Sequence, residues 1–271
     1  MNPKPSDILV VCVLFGKKPE DAATFRTLLN EAEKVFIYDN SPSPLDNANL
    51  PSGWQYIHDA SNPGLSFAYN KAAEYAKEQG IPYILLTDQD TLFPTGALNA
   101  YTEAIEKNPG IPLFVPKVKV NSGQFLSPVR HRHYHTHLCS TCGEDRIKLK
   151  DYAIINSGML VSTTSFFKAG GYNPDVFLDF SDYQFIERLS RVERHAQVVD
   201  ITCRQNFSNL EQNREQKLRR FSLFCKSLRN FDSAKHADRF WIASVAVRRA
   251  LSLSVSLKSI KPIGILLKSY F

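Results

Sequence analysis

The chain opens on an unbroken apolar run at residues 8–15, Ile-Leu-Val-Val-Cys-Val-Leu-Phe. Continuous rather than alternating hydrophobicity, with β-branched side chains, predicts a strand covered on both faces. Residues 19–32 carry Phe25, Leu28 and Leu29 at helical spacing. A second strand is predicted at 34–38, stopped by the turn sequence Asp39-Asn40-Ser41-Pro42, and a short third at 54–58. Asn62-Pro63-Gly64 turns the chain into an alanine-rich helix over 66–79, with Gly80 as its stop. A further apolar strand over 83–87 leads to Asp88-Gln89-Asp90, and a helix over 95–107 ends at Asn108-Pro109-Gly110. This β-α-β-β-α-β-α order predicts an open, mostly parallel α/β sheet. Residues 116–150 show no clear period. A strand is expected over 152–161, a helix over 185–194, and a helical, basic and apolar pattern beyond residue 210.

Sheets of this kind bind ligands beyond the carboxyl ends of their strands. Asp39 and the pair Asp88/Asp90 both fall at such ends. Carboxylates at i and i+2 of extended chain point to one side, and their repulsion calls for a cation. A hard divalent ion, Mg2+ or Mn2+, suits oxygen ligands and commonly binds one or two carboxylates plus substrate phosphates. An acidic surface turn is the competing explanation of a lone Asp-x-Asp. The buried strand before it favours the functional one.

The charge pattern adds a second theme. Of the 271 residues, 43% are hydrophobic and 22% charged, which excludes a disordered or collagen-like chain. The net charge of +6 is uneven: residues 1–200 hold 19 basic and 23 acidic side chains, residues 201–271 hold 14 and 4. With the helical, basic pattern beyond residue 210, this divides the chain into a body, 1–210, and a basic helical extension, 211–271. The extension asks for an anionic partner. Its basic residues are mixed with long aliphatics rather than with a stacking platform, which favours a membrane surface over nucleic acid. A helical layer packed on the body is the plainer alternative. Five cysteines, an odd and low count, point to a reducing compartment. The 8–15 run lacks signal-peptide features, with Asp7 before it and Lys17 and Lys18 after it. No apolar run approaches the ~18–20 residues needed to span a bilayer. The expectation is a cytoplasmic protein attached peripherally to the inner face of the cell membrane.

His131, His133, His135 and His137 alternate and are followed by Cys139 and Cys142. In a continuous strand the four imidazoles would share one face. A structural zinc site is one reading. Zinc half-sites are normally a dozen or more residues apart, so a polar loop or hairpin near an acceptor site is the preferred one.

The segments, taken in order, resemble the family 2 inverting glycosyltransferases of the GT-A fold, most closely the rhamnosyltransferase-like enzymes of O-antigen and capsule biosynthesis. The resemblance rests on I-L-V-V-C-V-L-F, F-I-Y-D-N-S, N-P-G-L-S-F-A-Y-N-K-A-A, L-L-T-D-Q-D, I-N-S-G-M-L-V-S and G-G-Y…F-L-D-F-S-D-Y-Q-F-I-E-R, over about residues 8–190. It implies a Rossmann-like parallel sheet flanked by helices. It also implies transfer from a UDP- or dTDP-sugar to a lipid-linked glycan of a bacterial surface polysaccharide. Asp39 would hydrogen-bond the nucleotide base. Asn62, Gly64 and Asn70 would shape the nucleotide pocket. Asp88 and Asp90 would hold the metal and the diphosphate. Asn156, Ser157 and Gly158 would lie beside the transferred sugar, and Asp182 matches the general base. Proton abstraction from the acceptor hydroxyl needs such a carboxylate. Asp179 and Asp182 are the only carboxylates within 177–184, and Asp179 is the better candidate for a helix cap. Two departures stand out. Gln184 replaces an acidic residue frequent two places after the base. Gln205 stands where many members place a metal-binding histidine. Arg204 is a candidate for neutralising the diphosphate. These departures keep an inactive nucleotide-sugar-binding module as an alternative.

Overall fold

The computed structural model describes residues 3–18, 21–44, 50–205, 213–233 and 236–271. The first strand, β1 (Ile8–Leu14), leads through a short helix, α1 (Ala23–Thr27), to β2 (Lys34–Asp39) and β3 (Trp54–His58). Helix α2 (Leu65–Glu78), strand β4 (Tyr83–Asp88), the short β5 (Thr91–Leu92) and helix α3 (Ala97–Lys107) follow. The middle of the chain supplies β6 (Leu113–Val120), β7 (Phe125–Ser127), β8 (Val129–Arg132), β9 (His135–Thr136), β10 (Arg146–Lys148), β11 (Tyr152–Ala153) and β12 (Met159–Ser162). Then come α4 (Thr163–Lys168), α5 (Ser181–Leu189), the long β13 (His195–Gln205) and three helices, α6 (Arg214–Arg229), α7 (His236–Ser256) and α8 (Lys261–Ser269).

Among the described residues, the main sheet has the path β10-β13-β6-β12-β4-β1-β2-β3. Strands β3, β2, β1 and β4 are mutually parallel, β12 runs antiparallel between β4 and β6, and β13 is parallel to β6. The mixed α/β order is that of a GT-A fold. Strand β1 is buried on both sides. Leu9, Val11 and Val13 meet Ala68, Ala72 and Ala76 of α2, while Ile8, Val10, Cys12 and Leu14 meet the side of α3 that carries Leu98, Tyr101 and Ile105. The alanines of α2 are small enough to bring its axis close to the sheet.

Four expectations needed correction. Within the described part of the segment, the helix expected over 19–32 is broken into the five residues of α1 and a 3-10 turn, Leu29–Glu31; residues 19 and 20 lie outside the described residues. Its threonine hydroxyls bond elsewhere: Thr24 donates to the backbone of Asp88 and Thr91, and Thr27 accepts from Phe93. The strand expected over 152–161 is split, because β11 pairs with β8 in a separate small sheet and a turn at residues 156–158 then leads to β12 in the main sheet. The helix expected over 185–194 starts earlier and ends at Leu189, its entry set by Phe180 in left-handed geometry. The long strand β13 was not foreseen. Its buried Ala196, Val198 and Cys203 are separated by polar residues and by a bulge between Val199 and Thr202, which blurs the period-two signal.

The C-terminal helices form a layer with their own core of Phe221, Phe224, Leu228, Ile242, Ala246 and Leu266. Several polar links join it to the body. The Gln184 side chain donates to the backbone carbonyl of Asp232 and accepts from its N–H, Asn173 donates to Asn230, and Arg220 pairs with Asp179. Among the described residues, no helix is long and apolar enough to cross a membrane.

Candidate active site

Three strand ends and one helix start define a cleft at the carboxyl edge of the sheet. Asp39 closes β2. It is wholly buried, Oδ1 accepting from the N–H of Ser41 at 2.9 Å and Oδ2 from the Tyr56 hydroxyl at 2.7 Å. Asp39 therefore organises the loop after β2 instead of offering an open carboxylate. The neighbouring Asn40 is 4% exposed, and its Oδ1 has no hydrogen-bond partner. Ser41 accepts from the N–H of Gly16 at 2.9 Å, which places the loop beside the end of β1. There the Phe15 ring is 53% exposed, held by reciprocal bonds between its backbone and the Gln89 amide. Phe15 and Asn40 were not singled out from sequence. Their signal was position alone, directly after a buried strand.

Asp88 closes β4. Thr91 donates to its Oδ1 at 2.7 Å, and Gln205 Nε2 donates to its Oδ2 at 2.8 Å. Burial pushes Asp88 above the usual carboxylate range, opposed by the Ser157 and Thr91 hydroxyls. Asp90 pairs with Lys17 Nζ at 2.6 Å. Lys17 thus places a cation beside the Asp-x-Asp pair. Arg204 is exposed, and strand alternation turns it away from Gln205 and the Asp88 side of β13. Residues 206–208, the rest of the segment compared with the family's metal site, lie outside the described residues.

The second group approaches from the turn before β12. Ser157, 2% exposed, reaches Asp88. Asn156 donates to the Ser181 hydroxyl at 3.3 Å and accepts from the Tyr172 hydroxyl. Gly158 has φ +83°, and a Cβ there would lie 2.5 Å from Pro116 Cγ, so glycine alone allows the turn. One turn therefore touches the Asp-x-Asp pair on one side and the start of α5 on the other. Asp182 lies in the first turn of α5 and accepts from the N–H of Tyr183 at 2.8 Å. Burial, reinforced by the nearby Asp179, pushes its pKa up to about 7 despite that bond. Asp179 does not cap the helix. It forms a two-point pair with Arg220, at 3.0 and 3.4 Å.

Two further residues serve the architecture first. Gly64, φ +96°, sits so close to Phe177 that a Cβ would lie 2.5 Å from the ring; the approach it permits is to protein rather than ligand. Asn70 exchanges both its amide atoms with the backbone of Tyr172, at 2.9 Å each. Asn62 adopts φ +50° in the turn before α2. Gly64 and Asn70 tie α2 to the segment that leads into α5, and so set the cleft from behind.

The residues fit a divalent cation in kind. Gln205 Oε1 is buried beside Asp88 with no partner, and carbonyl and carboxylate oxygens are the donors that Mg2+ and Mn2+ take. Among the described residues, no group of three His, Cys, Asp or Glu side chains forms a closed metal site, so the remaining ligands would come from phosphate. The histidine run is a hairpin. His133 and Tyr134, both at positive φ, make its turn. His133 stacks on Trp241 at 3.8 Å, while His135 bonds Ser244 at 3.0 Å. The turn ends the alternation, so the imidazoles do not share a face.

No curated protein matches the chain. Among solved structures, it resembles GalNAc-T7 crystallised with UDP, GalNAc and Mn2+, at a TM-score of 0.57 and 11% identity. That match covers 82% of this chain but 47% of the other, so the chain spans about half the length of that protein. It also resembles TarS 1-349 of S. aureus at a TM-score of 0.53 and 13% identity, covering 92% of this chain and 73% of TarS. The UDP complex of TarS gives 0.52 and 13%, with coverages of 90% and 72%. Identities this low speak to the fold. The model of glycosyl transferase family 2 matches residues 22–167, more than half of the chain. The protein belongs to glycosyl transferase family 2.

Proposed function

We infer that the protein is an inverting hexosyltransferase. It moves a sugar of the rhamnose, galactose or galactofuranose class from a UDP- or dTDP-linked donor to a lipid-linked saccharide. The setting is assembly of a bacterial surface polysaccharide such as O-antigen, capsule or lipopolysaccharide. The observation that carries this reading is the turn at Asn156, Ser157 and Gly158, which bridges Asp88 to the helix bearing Asp182.

In this reading the base stacks on Phe15 and donates an N–H to the unpartnered Asn40 Oδ1, over a loop braced by Asp39. The diphosphate lies toward Lys17 and Asp90. Asp90 and Gln205 would hold Mg2+ or Mn2+, which when bound neutralises charge on the leaving diphosphate. The crystals of GalNAc-T7 with UDP and Mn2+ and of TarS with UDP support that assignment. The transferred sugar lies against Asn156–Gly158, with Asp179 at the acceptor side. Asp182 takes the proton of the acceptor hydroxyl while its oxygen bonds to the anomeric carbon. The bond from that carbon to the diphosphate oxygen breaks on the opposite side, and the diphosphate leaves with the electron pair. Attack from the opposite face inverts the configuration. A base whose pKa is near 7 combines an adequate ionised fraction with useful basicity at neutral pH.

The division at residue 210 fits the separate core of α6–α8. The outer sides of α7 and α8 leave Phe240, Leu251, Val255, Ile260, Leu267 and Phe271 more than half exposed. Residues 239–271 contain six basic and no acidic side chains. An exposed apolar stripe flanked by cations suits the interface of an anionic leaflet. The extension then holds the enzyme at the cytoplasmic membrane, where a lipid-linked acceptor is found.

A thermal-shift titration tests the donor reading. UDP or dTDP is expected to raise Tm, further with Mg2+ or Mn2+, through ligand-linked stabilisation. No shift with either nucleotide, with or without metal, overturns it.

A further inference from the structure

A cavity of about 400 Å³ lies against α5, the helix whose first turn carries Asp182. That volume is within the range of small-ligand sites. Its walls are the β8–β9 hairpin, the segment from Leu149 to Ile154, and the side of α5 that carries Tyr183 and Glu187. Two of these walls are adjacent in the chain to the proposed reaction centre. Tyr183 follows Asp182 in sequence, and Ile154 precedes Asn156 by two residues.

The lining has the chemistry of sugar recognition. The Tyr134 and Tyr183 rings lie 6.2 Å apart at 54°, and Phe180 stacks under Tyr183 at 4.6 Å. Such rings offer flat apolar faces with polar tips. His131 is partly buried. It meets the backbone of Lys150, while its Nδ1 is buried with no partner. Burial holds this imidazole below its ordinary pKa, so Nδ1 is an acceptor that lacks a hydroxyl donor. Arg132 and Lys150 sit at the mouth, and neither has an ion pair among the described residues. Glu187 and Arg191 at the far rim lie 3.9 Å apart. The hairpin tip is conformationally costly, since His133 and Tyr134 are consecutive non-glycine residues at φ +51° and +65°. The Trp241 stack and the packing of Tyr134 on Phe180, Tyr183 and Phe231 hold it there.

We propose that this cavity is the acceptor site and that it selects a saccharide bearing an anionic group, a uronate or a phosphate. The sugar ring lies on Tyr134 and Tyr183, one hydroxyl donates to His131 Nδ1, and Arg132 and Lys150 meet the charge. The proposal rests on the glycosyltransferase reading above.

The test uses the full chain and a double variant, Arg132→Glu/Lys150→Glu. Both positions are exposed, so the fold is retained, which circular dichroism and an unchanged Tm check. Each protein is applied to a glycan array of uronate-bearing, phosphate-bearing and neutral oligosaccharides, and UDP binding is measured in parallel by calorimetry. The expected result is that the wild type binds uronate or phosphate glycans, the variant loses that binding at least tenfold, and both bind UDP equally. Which anionic set is bound separates the two sources of charge. Trp241, stacked on His133, supplies a second readout, and its fluorescence is expected to change with the bound glycan. Binding of neutral glycans only, binding of none, or binding the variant keeps within twofold overturns the proposal. If the wild type fails to bind UDP or dTDP, the donor reading fails instead, and the two failures are thereby distinguished.

Discussion

On the proposed nucleotide side of the cleft, the polar pairs join the ends of strands in the main sheet, some of them neighbours in the chain and others, such as Lys17 with Asp90 and Gln205 with Asp88, far apart in it. Asp39 is held by Ser41 two residues on and by Tyr56 on the next strand, and Asp88 by Thr91 three residues on. On the Asp182 side they span the chain: Asn156 reaches Ser181, Asp179 reaches Arg220, Gln184 reaches Asp232, and His135 reaches Ser244. The nucleotide side is therefore a property of parallel strand ends, rigid once the sheet forms. The Asp182 side is braced in addition by the C-terminal helices. In the proposed function, the difference would put donor binding on the sheet and acceptor binding on a wall held by the extension.

The sharpest break between the two sides is Asp182→Asn. Removing a general base is expected to lower turnover by about 10²–10⁴-fold while leaving UDP affinity unchanged, as radiolabelled transfer and calorimetry would show. The wild-type kcat/KM is expected to climb with pH through about 7, as Asp182 loses its proton. Stability runs the other way. The folded pKa lies above the unfolded one, so the folded state binds more protons between them, and stability falls as pH rises across that window. The same variant is therefore expected to melt higher than wild type at pH 8. An inactive variant that also melts lower would place Asp182 in a structural role.

Lys17→Met probes the nucleotide side alone. Loss of a charge-assisted contact is expected to weaken UDP binding about tenfold, some 1.4 kcal/mol, with glycan binding intact. An unchanged UDP affinity would separate Lys17 from the diphosphate. Leu251→Glu/Val255→Glu probes the extension. Sedimentation with anionic vesicles is expected to fall about tenfold, with turnover on a water-soluble acceptor retained. Equal sedimentation would make α7 an ordinary solvated helix. The smallest effect is expected from Phe15→Ala, where loss of a stacking face costs about 1 kcal/mol of UDP affinity and no thermal stability.

The legible part of the fold was its sheet from β1 to β4. Strands β1, β2 and β4 are each built on a continuous apolar run followed by turn residues, so burial and position could be read within a window of ten residues. Asp88 and Asp90 stood out for the same reason, as carboxylates directly after an apolar strand, whereas Asp182 was marked by the family resemblance of its segment. Strand β13 was illegible because its apolar positions are diluted by polar ones and interrupted by a bulge. Lys17 carried no signal, since its partner Asp90 lies 73 residues away. Gln184 read as a lost carboxylate, whereas its amide is a two-way link to Asp232.

The sequence by itself determined the parallel core, the strand-end carboxylates and the basic, acid-free C-terminus, because each depends on neighbours in the chain. Tertiary structure alone decided that Asp39 braces a loop, that Arg204 faces away from Asp88 while Lys17 meets Asp90, and that a histidine run becomes one wall of a cavity. Those outcomes depend on which distant groups are buried together. A side chain's charge state and direction are set by its desolvation and by its partners in space, and a linear pattern carries neither.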